Sequence, residues 1–114
     1  MNITVTPHGD CRIIRVEGRL DGITSPELER EIVRLSEEGC RLLAFELDAL
    51  EYLSSAGLRV LLLAVKKTRA AGGRVALYGV GNTIREVLEI SGFLSLLQVA
   101  GTREEALQSL AQSG

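Results

Sequence analysis

The stretch LLAFELDALEYLSSAGLRVLLLAVKKTRAAGGRVALY, residues 42–78, decides the fold. It opens with a nearly continuous apolar run over residues 42–47, which is typical of a short strand covered on both faces. The segment from Ser54 to Ala71 is predicted to be a helix that ends at Gly72-Gly73. Residues 74–78 form a second buried strand. A strand, a helix and a strand in this order predict two parallel strands joined by a crossover helix.

The residues before this unit predict a hairpin and a first helix. β-Branched residues are enriched over residues 3–6 and 13–17, and His8-Gly9-Asp10 between them has the composition of a turn. Ser25-Pro26-Glu27 then supplies an N-cap, a proline at the first helical position and an acidic first turn. We expect this helix to end at Gly39.

The residues after the unit continue the alternation of helices and strands. They predict a helix over residues 82–90 that is capped by Asn82, a short strand over residues 96–99, and a last helix that begins with the capping box at residues 102–105. The predicted order is ββαβαβαβα. We therefore expect one α/β domain over residues 1–114, with a mixed sheet of about five strands, an antiparallel hairpin at its edge, and four helices.

Composition excludes several classes of function. Apolar residues make up 46% and charged residues 25% of the 114 residues, and the net charge of −2 comes from mixed signs, without the basic face that nucleic acids require. No apolar run approaches the ~18 residues of a membrane span, and the N-terminus has no leader pattern, so we expect a cytoplasmic protein. Cys11 and Cys40 stand apart without a metal-binding spacing, which predicts free thiols and neither metal nor cofactor.

The connection between the third predicted strand and the second helix, residues 48–58, contains the candidate site. Carboxyl ends of parallel strands are where α/β proteins place their sites. Ser54 is expected to cap the helix, which leaves the hydroxyl of Ser55 free in the first turn. A phosphate there would gain ~0.3–1 kcal/mol from the helix dipole. The alternative is that both serines only start the helix, because serine is common at helix starts.

The second helix has two contrasting faces. One contains Val60, Leu61, Ala64, Thr68 and Ala71, and the opposite stripe contains Ser55, Arg59, Leu62, Lys66 and Arg69. Leu62 is an apolar residue among polar ones. It either contacts a partner protein or packs in the core.

The loops at residues 21–22 and 79–82 are expected at the same sheet edge as Ser55, with Asp48 and Glu51 as further carboxylates nearby. Gly79-Val80-Gly81 lacks the third glycine of a dinucleotide-binding loop. His8, the only histidine, is predicted in the hairpin turn, far from Ser55. A Ser–His catalytic pair is therefore not expected, and neither is an enzyme.

Four segments together resemble the STAS domains of bacterial anti-sigma-factor antagonists. They are Gly18-Arg19-Leu20-Asp21 with Thr24, residues 48–58 with Val60-Leu61-Leu62, Gly72-Gly73-Arg74-Val75, and Ile90-Ser91-Gly92-Phe93. Many members of that family have Asp-Ser-Ser-Gly where this chain has Ser54-Ser55-Ala56-Gly57.

The resemblance implies a switch based on Ser55. A serine kinase that is also the anti-sigma factor would phosphorylate Ser55, with Ser54 as a lesser candidate, and a serine phosphatase would reverse the modification. The unphosphorylated form would bind the kinase and release a sigma factor or another client. The implied partner surface comprises Asp21, Thr24, Ser54, Ala56, Gly57, Arg59, Leu62 and Lys66. Two alternatives stay open: a STAS scaffold with a silent serine, or a module that binds a nucleotide or another small ligand near Asp21 and Gly81.

Overall fold

The computed structural model describes residues 1–111, which form six strands and four α-helices. The strands are β1 (Asn2–His8), β2 (Cys11–Leu20), β3 (Leu42–Glu46), β4 (Leu50–Leu53), β5 (Arg74–Tyr78) and β6 (Gln98–Ala100). The helices are α1 (Ser25–Glu37), α2 (Ser55–Ala70), α3 (Asn82–Ile90) and α4 (Arg103–Ala111), and a 3-10 turn (Phe93–Leu96) precedes β6.

The strands form one mixed sheet in the order β1-β2-β3-β5-β6. β1 is antiparallel to β2, and the neighbours β2-β3, β3-β5 and β5-β6 are parallel. The predicted α/β fold with an antiparallel hairpin at its edge is confirmed. The sheet has one more strand than predicted, because β4 pairs in parallel with the end of β2 after a register shift between Gly18 and Arg19. Its four residues are too few for periodicity to distinguish them from a loop.

The two faces of the sheet are covered unequally. The main core lies between one face and helices α1, α2 and α3; its fully buried members include Ile14, Leu28, Phe45, Leu61, Leu77 and Leu88. The other face carries a smaller apolar cluster under α4, with Ile13, Ala44, Ala76, Ala106 and Leu110. Helices on both faces of a largely parallel sheet explain why β3 and β5 are nearly continuous apolar runs.

Some element boundaries differ from the predictions by one or two residues. Thr24 and not Ser25 is the N-cap residue of α1, and Gly81 and not Asn82 is that of α3. The last strand begins at Gln98, because the preceding residues form the 3-10 turn. The predicted capping box is partly confirmed, since the Glu105 backbone N–H donates to Thr102 Oγ1 at 3.1 Å.

The two cysteines are free, as predicted; Cys11 is buried, and Cys40 is half-buried. Burial raises the pKa of Cys11 to about 11, which makes this thiol unreactive at neutral pH.

No helix among residues 1–111 has the length and apolar character needed to cross a membrane. Within the same residues, no three or more His, Cys, Asp or Glu side chains are grouped so that they could hold a metal ion.

Candidate functional site

Strand β4 places the start of α2 beside the loop that follows β2. Leu53, the last residue of β4, pairs with Leu20, the last residue of β2. One residue later, the Ser54 backbone N–H donates to the Leu20 carbonyl oxygen at 2.9 Å. The loop that begins at Asp21 is therefore adjacent to Ser54 and Ser55. The predicted proximity of Asp21 to the serine motif follows directly from this pairing.

The two serines have different surroundings. The Ser54 side chain caps α2, because its Oγ accepts a hydrogen bond from the Gly57 backbone N–H at 3.2 Å. Ser55 is the first residue of the helix and is exposed, and within residues 1–111 its hydroxyl has no hydrogen-bond partner. The first turn of α2 contains no acidic residue. The Ser55 hydroxyl is thus accessible at the positive end of a 16-residue helix.

Gly57 fixes how closely α2 approaches the sheet. It is buried, and a Cβ added to it would lie 2.7 Å from the Leu20 carbonyl oxygen and 2.9 Å from Leu53 Cδ1. Any side chain at this position would push the helix start away from β2 and β4. Gly57 therefore positions Ser55 from inside the fold. Its predicted place on the partner surface is wrong, because Gly57 is buried whereas Ser55 is exposed. Ala56 between them is half-buried.

The loop after β2 is closed by hydrogen bonds around Asp21. Asp21 Oδ1 accepts from the backbone N–H groups of Ile23 at 3.0 Å and Thr24 at 3.1 Å. Thr24 Oγ1 accepts from the Asp21 backbone N–H at 2.9 Å and lies 2.8 Å from the Arg19 carbonyl oxygen. The backbone hydrogen bonds from Thr24 and Ile23 lower the pKa of Asp21, because they stabilise its charged form. The side chains of Asp21 and Thr24 thus close the loop through hydrogen bonds to its backbone.

The closed loop displays Ile23, a residue that no motif or spacing in the sequence singles out. Ile23 is 90% exposed and belongs to this loop, which together with Ser54 and Ser55 forms what we call the serine edge. Beside the loop, the Arg19 guanidinium lies over the Tyr52 ring at 4.1 Å from its centroid, and Tyr52 is 40% exposed. Ile23 contributes to neither core cluster among the described residues, so its side chain is open to contact from another molecule. The sequence does contain one sign of this exposure. Ile23 lies between turn and cap residues and fits neither a helical nor a strand spacing of apolar residues.

Helix α2 has the two faces that its sequence predicts. Val60, Leu61, Ala64 and Thr68 are buried, whereas Ser55, Arg59, Lys66 and Arg69 are exposed. Ala71, assigned to the buried face, is exposed and follows the last helical residue. Leu62 is half-buried and belongs to neither of the two core clusters among the described residues. Part of the Leu62 side chain is therefore exposed, which leaves it available to a partner protein.

Asp48 faces a different set of residues from Asp21. Its Oδ1 accepts from an Arg15 Nη1 at 2.8 Å, and the same nitrogen donates to Glu46 Oε2 at 2.5 Å. Tyr78 donates to Glu46 Oε1 at 2.9 Å; the bond from Arg15, and then that from Tyr78, lower the pKa of Glu46. The loop after β5 lies against Asp48, since a Cβ on Gly79 would be 3.0 Å from Asp48 Cβ. The carboxylate of Asp48 is thus compensated by Arg15.

His8 lies at the opposite end of the sheet from the serine edge. It pairs with Cys11 at the start of β2, and the ten residues of β2 extend about 30 Å to Leu20. Two open grooves, of about 420 and 500 Å³, also lie at this far end; Asp10 and Leu42 line both. Neither His8 nor these grooves border Asp21, Ser55 or Gly81, so they add nothing to the serine edge.

Comparison with known proteins places this geometry in a family. A family model of the STAS domain matches residues 2–106. BtrV of Bordetella bronchiseptica, provisionally named an anti-sigma factor antagonist, is 38% identical over 93% of this chain and 91% of its own length. The anti-sigma-B factor antagonist of Staphylococcus epidermidis is 30% identical over 92% of this chain and 98% of its own.

Solved structures show the same fold. An anti-sigma factor antagonist from Mycobacterium paratuberculosis superposes with a TM-score of 0.88 at 24% identity, over 97% of this chain and 94% of its own. The phosphorylated form of the Bacillus cell fate determinant SpoIIAA superposes with a TM-score of 0.74 at 23% identity, over 95% and 98% of the two chains.

Proposed function

The chain belongs to the STAS domain family, and we propose that it is an anti-sigma factor antagonist switched by phosphorylation of Ser55. The observation that carries the proposal is the exposed Ser55 hydroxyl, which has no hydrogen-bond partner among residues 1–111 and lies beside the closed Asp21 loop. Two relatives with 30% identity or more have names of anti-sigma factor antagonists, which supports the assignment. SpoIIAA, which shares the fold, is known in a phosphorylated form.

In this proposal the chain is the substrate of a serine kinase and not an enzyme. The Ser55 oxygen attacks the γ-phosphoryl group of ATP, a base of the kinase takes the hydroxyl proton, and ADP leaves. The chain contributes an accessible nucleophile at a helix N-terminus, where backbone N–H groups favour the added negative charge. Ser54 is less suited, because its Oγ already accepts the cap hydrogen bond from Gly57.

The same surface accounts for partner exchange. The unphosphorylated chain binds the anti-sigma factor in the cytoplasm through the surface around Ile23, Ser55 and Leu62, and this binding releases a sigma factor or another client. A phosphate adds about −1.5 to −2 charge at the centre of that surface, where Asp21 already carries a negative charge. In a partly desolvated contact this charge is costly, so the partner dissociates until a serine phosphatase removes the phosphate.

The test combines phosphorylation and binding. The serine kinase encoded closest to this gene is incubated with the chain and ATP, and the intact mass is measured. We expect one phosphate on the original chain and on Ser54→Ala, and none on Ser55→Ala. Ser55→Ala should keep its affinity for the kinase, and Ser55→Asp should bind at least about tenfold more weakly, which corresponds to ~1.4 kcal/mol.

Three results would contradict the proposal. If the kinase binds without adding phosphate, the chain is a scaffold whose serine is silent. If Ser55→Ala is phosphorylated as efficiently as the original chain, Ser54 is the acceptor. If Ser55→Asp binds with unchanged affinity, charge at this position does not control the contact.

A further inference from the structure

We propose that the phosphate on Ser55 is bound within the same chain by Arg59, so that phosphorylation also removes Arg59 from the partner surface. The inference rests on the proposed function in taking Ser55 as the modified residue. It adds a second effect of the modification. The new charge repels the partner, and a cation that was available to the partner becomes occupied.

The register of α2 places the two side chains together. Ser55 and Arg59 both lie within the helix, four residues apart, so their Cβ atoms are about 5–6 Å from each other on one face. Side chains of helical residues lean toward the N-terminus, so the common rotamers of Arg59 direct its guanidinium toward the first turn, where Ser55 lies. Both residues are exposed, and no buried side chain has to move for the contact to form.

Arg59 is available for this role. Among residues 1–111, ion pairs to carboxylates occupy Arg15, Arg19 and Arg34, whereas Arg59 takes part in none. The first turn of α2 offers no acidic residue that would compete for it. The planar guanidinium donates two parallel hydrogen bonds to phosphate oxygens, which a lysine ammonium does not do in the same geometry.

The pairing is specific to this pair of positions. Lys66, on the same exposed stripe, is eleven residues from Ser55 and therefore about 16 Å along the helix axis. Ser54 lies outside the helix as its N-cap and is five residues from Arg59, so it does not share the stripe. A phosphate on Ser54 would therefore not meet Arg59 in the same way.

The experiment uses the full chain with phosphoserine incorporated at position 55 during translation, so that no kinase is needed. The second pKa of the phosphate is measured by ³¹P NMR titration in this chain, in its Arg59→Gln variant and in the matched control Lys66→Gln. We expect Arg59→Gln to raise this pKa by about half a unit, because it removes a cation that stabilises the dianion. Lys66→Gln should leave it unchanged, and high salt should reduce the Arg59 effect.

Phosphoserine at position 54 provides a second control, whose pKa should not respond to Arg59→Gln. The proposal is overturned if Arg59→Gln leaves the pKa of phospho-Ser55 unchanged, or if Lys66→Gln shifts it equally. Because translation supplies the phosphoserine, such a failure would leave the kinase result intact. Conversely, a chain that the kinase does not phosphorylate would refute the proposed function even if Arg59 holds an installed phosphate.

Discussion

One face of helix α2 is buried against the sheet, and the opposite face is exposed to solvent. Leu61 is 1% exposed and packs in the main core, whereas Leu62, the next residue, is half-buried and belongs to neither core cluster. One face fixes the helix to the sheet, and the other keeps Ser55 and Arg59 accessible. Two adjacent leucines in one helix therefore differ in burial, and the proposed function assigns only the second to the partner surface.

Truncating these two leucines gives the largest expected effect. Leu61→Ala should lower the free energy of unfolding by ~2–5 kcal/mol, because it leaves a cavity in a closely packed core. Leu62→Ala should lower it by less than about 1 kcal/mol, as is usual outside the core. Urea unfolding of both variants gives the comparison.

The binding of the same variants completes the contrast. Leu62→Ala should weaken binding to the kinase, while it remains fully folded at the assay temperature. A stability loss for Leu62→Ala close to that for Leu61→Ala would show that both leucines pack in the core. The assignment of Leu62 to the partner surface would then be wrong.

The main features of the fold could be predicted because they depend on long periodic segments. The 16-residue helix α2 and the apolar strands β3 and β5 show their burial in the spacing of apolar residues. β4 could not be predicted, because only its pairing with the end of β2 distinguishes four residues from a loop. The starts of α1 and α3 differ from the predictions by one residue, because adjacent residues in both places belong to types that are common at N-cap positions.

The candidate site was predictable in its local part and in the sheet edge at which the Asp21 loop lies. The cap by Ser54 and the free hydroxyl of Ser55 follow from the order of residues at a helix start. The contact of Gly57 with Leu20 and the display of Ile23 depend on residues that are far apart in the chain or on the closure of a loop. Contacts of this kind leave no regular spacing of apolar residues in the sequence, so the sequence pattern does not reveal them.

The loop that displays Ile23 gives the next test, because Ile23 is nine-tenths exposed and contributes to no core cluster among the described residues. Ile23→Ala should leave the free energy of unfolding within about 0.5 kcal/mol of its original value. It should weaken binding to the kinase by about tenfold, since a central aliphatic anchor loses its contact. Ile90→Ala, at an equally exposed isoleucine at the end of α3, is the matched control. Equal losses of affinity for both variants would show a general effect of surface apolarity and remove Ile23 from the interface.

The smallest effect concerns the carboxylate that closes this loop. Hydrogen bonds from the Thr24 and Ile23 backbone N–H groups lower the pKa of Asp21 below its ordinary value of 3.8. A carboxylate whose pKa is lower in the folded state stabilises the fold at pH values above its ordinary pKa, and this contribution disappears as the pH falls through the lowered value. Asp21→Asn keeps an acceptor oxygen but cannot ionise. The difference in unfolding free energy between the original chain and this variant should therefore stay constant from pH 7 to about pH 5 and vanish in strong acid. Urea unfolding across this range measures the difference, and Asp10→Asn, which removes an exposed carboxylate from the hairpin turn, corrects for the loss of one negative charge. A difference that grows as the pH falls would mean that the charge of Asp21 destabilises the loop, and the hydrogen bonds would then not be what holds Ile23 in place beside Ser55.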